Sequence, residues 1–168
     1  TGVLSNYHFA PTKEAANNLL MENYPSEKIF VTGNTVIDAL VQVIDDDYKF
    51  EDSLLNSLDY RNKKIILLTA HRRENIGEPM VNIFKAIKRV VEENEDIEVI
   101  YPIHLNPNVR SISDSVFGES DRIHIIEPLD YLPFANLINK CYLVVTDSGG
   151  IQEEAPTLGK PVLVVRKE

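Results

Sequence analysis

The chain has 168 residues, of which 43% are hydrophobic and 26% charged, and its formal net charge is −9. This composition is typical of a soluble globular domain of ordinary size, with enough residues to bury a core. The acidic balance argues against a general nucleic-acid-binding protein. No apolar stretch approaches the roughly 20 residues of a membrane-spanning helix. The single cysteine, Cys141, cannot form an internal disulfide, which suits a reducing compartment, and no motif around it indicates a redox or nucleophilic role.

The two ends of the sequence predict a piece of a longer protein. The chain begins with Thr1 rather than Met, and it ends with VLVVRKE directly after a predicted strand. No helix follows to cover that strand. We therefore expect further sequence on both sides.

The first 63 residues show helical patterns, one strand and a polar stretch. The predicted elements are, in chain order, a helix after Pro11 and Thr12, a strand at residues 28–32, a helix with its apolar stripe at residues 36–44, and an acidic linker with one short helix at residues 45–63. Asn34 or Thr35 can cap the second helix. The linker separates a region of residues 1–60 from the main sheet.

The rest of the chain alternates apolar runs with helical patterns. The predicted elements are a strand at residues 64–69, a helix opened by Pro79 with an apolar stripe from Met80 to Val91, strands at 98–103 and 122–126, a short helix at 131–139, a strand at 142–146, a helix after Gly150 and a strand at 161–165. The strands are continuous apolar runs, as in parallel sheets covered on both faces. The alternation predicts an α/β fold with a doubly wound, parallel, Rossmann-like sheet.

Polar loops follow four of the predicted strands. They are GNT at residues 33–35, HRREN at 71–75, HLNPNVR at 104–110 and DSGG at 147–150. Ligands of doubly wound sheets bind beyond the carboxyl ends of the strands. Two of the four histidines and three arginines fall in these loops, so the sequence predicts a site at this edge.

The DSGG loop is the sharpest of these signals. Small residues between a strand and a helix offer backbone N–H groups to an anion, and Ser148 adds a hydroxyl. Glu154 lies about 6 Å further along the helix axis, near where the ribose of a bound nucleoside diphosphate would lie. A carboxylate can accept both hydrogen bonds of a ribose diol. The simpler interpretations are that Ser148 caps the helix and that Glu154 is a solvated charge.

The HRREN loop concentrates cations in an acidic chain. His71 can donate to a phosphate or act as an acid near neutral pH, and Arg72 and Arg73 suit bidentate anion contacts. The alternative is a loop of salt bridges to Glu74 and Glu78. His104 has a structural alternative of the same kind.

Several other site classes lack their sequence patterns. No His, Cys or Asp cluster has metal-ligand spacing, and the DDD run at residues 45–47 lacks the pattern of a calcium loop. The glycine patterns of the common dinucleotide site and of the P-loop are absent from the sequence too. Because the metal-ligand patterns are missing, we predict no bound metal ion.

Five segments together resemble the non-hydrolysing UDP-N-acetylglucosamine 2-epimerases. They are FVTGNTVIDAL, HRREN, YPIHLNPNVR, PLDYLPF and TDSGGIQEEAPTLGKPVLVVR, and they cover nearly the whole chain in the family's order. The resemblance implies one half of a two-domain GT-B-type enzyme. Residues 1–60 match the last elements of the N-terminal domain with the linker, and residues 61–168 match a C-terminal UDP-binding domain that is incomplete at its end.

The resemblance also implies a reaction and residue roles. The family interconverts UDP-GlcNAc and UDP-ManNAc by eliminating UDP across C1–C2 and adding it back, without NAD or another cofactor. The implied roles are diphosphate binding for Ser148, Gly149 and Gly150, ribose binding for Glu154, uracil binding for Leu129 and Phe134, active-site histidine for His71, and contact with a second, activating UDP-GlcNAc for Arg72 and His104.

The resemblance further implies a cytoplasmic homodimer that acts in cell-surface polysaccharide synthesis. The acidic charge and the lack of a long apolar stretch predict no nucleic-acid and no membrane partner. The acidic residues that handle the C2 proton belong to the N-terminal domain, and the family's ERPE stretch lies beyond Glu168. We therefore expect this chain alone to be inactive. The alternatives are a hydrolysing relative that releases ManNAc, a GT-B glycosyltransferase, and a non-catalytic UDP-sugar-binding module.

Overall fold

A computed structural model describes residues 2–166 of the chain, and these residues form two compact units that divide between Gln42 and Val43. None of the helices in residues 2–166 combines the length and apolar character that crossing a membrane requires. The division lies earlier than residue 60, where the sequence predicted a boundary. Which domain of a longer protein the first unit belongs to stays a prediction.

The first unit contains a two-stranded parallel sheet. Its elements are a 3-10 helix Gly2–Leu4, β1 His8–Ala10, α1 Lys13–Met21, a 3-10 helix Ser26–Lys28, β2 Ile29–Val31 and most of α2 Thr35–Val43. The side chain of Thr12 caps α1 by accepting from the Ala15 N–H, and Asn34 accepts from the Val36 N–H at the start of α2. Strand β1 was not predicted, because three residues are too short to show a period.

The predicted strand at residues 28–32 pairs with β1 and lies outside the main sheet. The prediction that the GNT loop lies on the same sheet edge as the other polar loops was therefore wrong. Asn34 in that loop has the local capping role described above.

The second unit is built on five parallel strands. Its elements are α3 Ser53–Ser57, β3 Lys64–Thr69, a 3-10 helix Arg73–Asn75, α4 Glu78–Glu93, β4 Ile97–Pro102, α5 Pro107–Phe117, β5 Ile123–Ile126, α6 Tyr131–Lys140, β6 Leu143–Thr146, α7 Ile151–Thr157 and β7 Val162–Val164. The strand order is β5-β4-β3-β6-β7. This confirms the predicted parallel α/β sheet. The order reverses between β3 and β6, which is the topological switch point of a doubly wound fold.

Alternate residues of β3 enter two separate cores, one on each face of the sheet. Ile66 and Leu68 pack with α4 and α5, whereas Ile65 and Leu67 pack with α3, α6 and α7. Strands that are buried on both faces have no solvent-facing side that would carry polar residues, which explains their continuous apolar runs. The predicted stripe of α4 is correct except at Val90, which is exposed. Helix α5 was not predicted, because its first residues were assigned to a loop.

The acidic stretch at residues 45–63 is part of the second unit rather than a linker. Phe50 and Leu55 are buried in its core, and the short helix predicted there is α3. The fully buried amide of Asn136 accepts from the Asp45 N–H at 2.8 Å and donates to the Val43 carbonyl at 3.0 Å. These long-range hydrogen bonds attach the stretch to the second unit, and they leave no periodic signal in the sequence.

Candidate functional site

The ends of β3 and β6 are joined at the switch point by buried polar groups. Thr69 and Thr146 are register partners, and their hydroxyl oxygens lie 2.6 Å apart. The Asp147 N–H donates to the Thr69 carbonyl at 3.1 Å. These bonds hold the HRREN loop after β3 beside the DSGG loop after β6, as the sequence predicted.

Asp147 is the central hydrogen-bond acceptor of this edge. Its side chain is fully buried, and its Oδ2 accepts from the His71 N–H at 2.9 Å, the Arg72 N–H at 2.8 Å and Asn75 Nδ2 at 3.0 Å. Asn75 Nδ2 also lies 3.1 Å from the Val165 carbonyl, so the same amide connects the residue after β7. One carboxylate oxygen thus fixes the backbone of the HRREN loop.

Two arginine side chains converge on Gly149. A methyl group added at Gly149 would lie 3.7 Å from Arg72 Nη2 and 3.8 Å from Arg166 Nη1. Arg72 also pairs with Glu74 through Nη1 at 3.3 Å, so the predicted alternative of a salt bridge within the loop is present as well. The pKa of Glu74 is lowered by its own backbone amide first, and then by Arg72 and Arg166.

Helix α7 begins next to this pair of guanidinium groups. It starts at Ile151 after Gly150, with no side chain capping it. The alternative interpretation of Ser148 as N-cap was therefore wrong. The Ser148 N–H donates to Thr146 Oγ1 at 3.0 Å, and the Ser148 carbonyl accepts from Gln152 Nε2 at 3.2 Å. Neither bond uses the hydroxyl of Ser148.

Glu154 extends back towards the start of α7. A methyl group added at Gly150 would lie 3.9 Å from Glu154 Oε1. Partial burial, and then the neighbouring Glu153, raise the pKa of Glu154. Glu154 therefore lies on the same flank as the glycines, as the sequence analysis expected from one helical turn. Ile151, Ala155 and Leu158 pack towards the sheet, as predicted.

An open cleft of about 410 Å³ lies across the carboxyl ends of β3 and β4. Its lining residues are Thr69, His71, Pro102, His104, Leu105, Pro128, Leu129, Phe134 and Ile151. Apolar walls with a few polar groups are typical of small-molecule sites. Of the predicted site residues, His71, Leu129, Phe134 and His104 thus line one cleft. Arg72 follows β3, and the DSGG loop follows the adjacent strand β6.

The two loop histidines lie face to face. The His71 and His104 rings are stacked, with centroids 5.4 Å apart and planes inclined by 8°. His104 Nδ1 accepts from the Asn106 N–H at 3.1 Å, which gives this histidine a local structural partner.

Arg110 is in α5 rather than in the predicted loop, because Asn106 caps a helix that starts at Pro107. The guanidinium group of Arg110 pairs with the Glu127 carboxylate at 2.6 Å.

Sequence reasoning missed three members of this edge: Asp147, Asn75 and Arg166. Asp147 and Asn75 stand within the quoted motifs, but a polar residue in a loop carries no sign that it will be buried. Arg166 follows the last predicted strand, where the rule about carboxyl ends could have identified it. In residues 2–166 no group of three His, Cys, Asp or Glu side chains is arranged to hold a metal ion.

The parallel sheet, its switch point and the glycine loop define the Rossmann-like class of α/β proteins. The solved relatives of the chain have the two-domain GT-B fold. The family model described as UDP-N-acetylglucosamine 2-epimerase matches residues 1–168, and the chain belongs to this family.

Individual relatives agree with this assignment. The UDP-N-acetylglucosamine 2-epimerase of Bacillus subtilis is 55% identical over 166 residues, which are 99% of this chain and 43% of that protein. A structure of S. aureus MnaA with UDP matches with a TM-score of 0.90 and 54% identity, over 99% of this chain and 44% of the other. The Neisseria meningitidis enzyme bound to UDP-GlcNAc matches with a TM-score of 0.87 and 45% identity, over 100% and 46% of the two chains. The chain spans less than half the length of these relatives.

Proposed function

We propose that the second unit binds the UDP part of a nucleotide sugar at the carboxyl edge of its sheet. One observation carries this proposal: the guanidinium groups of Arg72 and Arg166 converge on Gly149, while the Glu154 carboxylate extends back to Gly150. In a chain of net charge −9, cations and a carboxylate side by side suit a ligand with an anionic part and a hydroxylated part.

Each part of UDP has a matching group on this edge. The diphosphate binds the backbone of Ser148, Gly149 and Gly150, between the two arginines. Guanidinium groups donate charge-assisted hydrogen bonds to phosphate oxygens, and these are stronger than hydrogen bonds between neutral groups. The ribose hydroxyls donate to Glu154. The uracil ring lies against Leu129 and Phe134, which line the apolar part of the cleft. The similar structures from S. aureus and Neisseria meningitidis hold UDP and UDP-GlcNAc, respectively, which supports this class of ligand.

The whole protein, on this proposal, interconverts UDP-GlcNAc and UDP-ManNAc. The bond from C1 to UDP breaks as C2 loses its proton, UDP departs with the bonding electrons, and UDP returns after C2 is protonated on its other face. This chain binds the leaving group, and His71 contacts its phosphates. The C2 acid and base come from an N-terminal domain, so we expect this chain alone to show no turnover.

The remaining assignments rest on family resemblance. Arg72 and His104 contact a second, activating UDP-GlcNAc, and the protein works as a cytoplasmic homodimer without a cofactor. The adjacency of these two residues to the proposed UDP site, with His104 stacked on His71, supports a second sugar nucleotide close to the first.

Calorimetric titration of UDP into the chain tests the nucleotide site. We expect Glu154→Gln to weaken binding by about 1.5–3 kcal/mol, the range for a hydrogen bond to a charged group. Glu153→Gln is the matched control, because it removes the same charge from the next, exposed position of α7 and should leave the UDP affinity nearly unchanged. Removing a negative charge should by itself favour an anionic ligand, so equal losses in the two variants would show a general disturbance of α7 rather than ribose recognition by Glu154.

The reaction itself is tested on the full-length protein. Incubation with UDP-GlcNAc should yield UDP-ManNAc with no free ManNAc. Release of free ManNAc would instead identify a hydrolysing enzyme, and UDP binding without turnover would identify a binding module. Interconversion by the 168-residue chain alone would contradict the proposed role of the N-terminal domain.

A further inference from the structure

The buried carboxylate of Asp147 has one satisfied oxygen and one unsatisfied oxygen. Oδ2 accepts three hydrogen bonds, as described above, whereas Oδ1 is buried with no hydrogen-bond partner in residues 2–166. A buried acceptor without a donor is rare in folded proteins and usually marks a functional constraint or an unmade contact. The surroundings of Oδ1 therefore indicate what Asp147 does.

The imidazole of His71 lies close to this oxygen. His71 Nδ1 lies 3.7 Å from Asp147 Oδ1. The longest ordinary N–H···O hydrogen bond is about 3.2 Å, so the ring has to move by only about 0.5 Å to make one. The His71 backbone N–H already donates to Oδ2 of the same carboxylate. Backbone and side chain of one histidine thus face the two oxygens of one aspartate.

We propose that Asp147 is a positioning residue that holds His71 with its proton on Nδ1. A neutral imidazole carries one N–H, and the lone pair on an unprotonated Nδ1 would face a buried carboxylate oxygen and be repelled. Protonation at Nδ1 satisfies Oδ1 and leaves Nε2 as the second functional nitrogen. The ring geometry directs Nε2 away from Asp147, on a side chain that is 42% exposed and lines the cleft.

The surrounding contacts support a fixed ring. His71 is stacked on His104 with nearly parallel planes, which restricts tilting of the imidazole but permits sliding within its own plane. The Tyr101 hydroxyl donates to the carbonyl of Ala70 at 2.7 Å, immediately before His71. A hydrogen-bonded backbone, a stacked ring and a buried acceptor are features that preorganise a functional side chain.

This inference rests on the proposed function of His71 as the group that contacts the diphosphate. Both ring nitrogens of an imidazolium are donors, so in that form Nδ1–H donates to Asp147 and Nε2–H donates to a phosphate oxygen. Asp147 itself stays buried behind the ring and touches no part of the ligand.

The test is nitrogen NMR of the imidazole rings in the ¹⁵N-histidine-labelled chain, at about pH 8.5, well above the ordinary histidine pKa of about 6.5. The ¹⁵N shifts distinguish the two neutral tautomers. The chain has four histidines, and the signals that disappear in His71→Gln identify this ring. We expect His71 to be the Nδ1–H tautomer. An Nε2–H tautomer in the unmodified chain overturns the proposal, and this result requires no variant of Asp147.

Asp147→Asn provides a sharper outcome. The three N–H donors will hold the amide oxygen of the new side chain, and its NH₂ group will then face His71 Nδ1 and donate to it. We expect the tautomer to change to Nε2–H. Asn75→Ala is the control, because it removes one donor to the same carboxylate without touching the imidazole, and it should keep the proton on Nδ1. A change in Asn75→Ala, or no change in Asp147→Asn, overturns the proposal.

The same samples separate this inference from the proposed function. Addition of UDP should shift the Nε2 signal of His71 in the unmodified chain, and Asp147→Asn should lower UDP affinity at least several-fold. The tautomer is read without UDP, so absent UDP binding would refute the nucleotide site and leave the tautomer result unaffected. Unchanged UDP affinity in Asp147→Asn, with the tautomer changed, would overturn the positioning role while leaving the nucleotide site in place.

Discussion

A single methyl group at Gly149 should block UDP binding without harming the fold. Gly149 is absent from the glycines with positive φ, so its backbone conformation suits an ordinary residue. The nearest atoms to the added methyl are Arg72 Nη2 at 3.7 Å and Arg166 Nη1 at 3.8 Å, which is ordinary van der Waals contact. The methyl therefore fits the free protein. It occupies the space between the backbone and the two guanidinium groups, where we propose that the diphosphate binds.

The expected magnitudes have opposite signs for stability and binding. At a compatible position, Gly→Ala stabilises a protein by about 0.4–1 kcal/mol, because the unfolded chain loses conformational freedom. Displacing the diphosphate from one charge-assisted hydrogen bond costs about 1.5–3 kcal/mol of binding free energy. At about 1.4 kcal/mol for each factor of ten, the UDP affinity of Gly149→Ala should fall about 10- to 150-fold.

Thermal unfolding and calorimetric titration with UDP measure the two effects. Gly159→Ala is the opposite control: Gly159 has a φ of +69°, so a side chain there costs about 1–2 kcal/mol of stability, and it precedes β7 rather than following a strand. It should lower the melting temperature and leave the UDP affinity unchanged. A well-folded Gly149→Ala variant that binds UDP as tightly as the unmodified chain would refute the proposed diphosphate position.

Three further predictions concern Glu154, Arg166 and Asn136. The pKa of Glu154 is raised above its ordinary 4.5, by burial first and then by Glu153, so UDP affinity should fall as pH drops towards that raised value. In calorimetric titrations at several pH values, Glu154→Gln should lack this fall in affinity. Identical pH profiles for the variant and the unmodified chain would contradict ribose recognition by the carboxylate. A raised acid pKa also means that the folded state holds the proton more tightly than the unfolded state, so Glu154→Gln should raise the melting temperature at neutral pH and lose this advantage in acid. Arg166→Met should weaken UDP binding by roughly tenfold, and less at high salt, whereas Arg89→Met on the outside of α4 should not. Asn136→Ala should lower the free energy of unfolding in urea by about 2–3 kcal/mol, since it removes the hydrogen bonds of a buried amide to the backbone of Val43 and Asp45. A loss as small as that of a surface substitution would mean that residues 43–50 are loosely held.

Much of the second unit was predictable from local patterns. Its five strands are continuous apolar runs because both faces of the sheet are covered, and each was predicted to within a residue or two. The flank shared by Gly150 and Glu154 followed from helical geometry alone, since four residues advance the chain by about one turn. Motifs quoted from the loops also indicated the family, which the comparison with known proteins confirmed.

Other features depended on contacts between residues far apart in the sequence. Residues 45–63 resemble a linker in composition, yet Asn136 binds their backbone across about 90 positions. The strand at residues 28–32 has the same apolar character as the others, but it pairs with β1 in a separate two-stranded sheet. The apolar character of a strand does not specify which other strand it pairs with.

The sequence by itself determined the fold class, the order of the elements and the chemical types gathered at the sheet edge, because periodicity and loop chemistry are local properties. Only the tertiary structure decided which loop groups meet. The convergence of Arg72 and Arg166 on Gly149, and the burial of Asp147 behind His71, follow from the strand order, which brings β3, β6 and β7 together. No local pattern specifies that order, because it results from packing two layers of helices against one sheet.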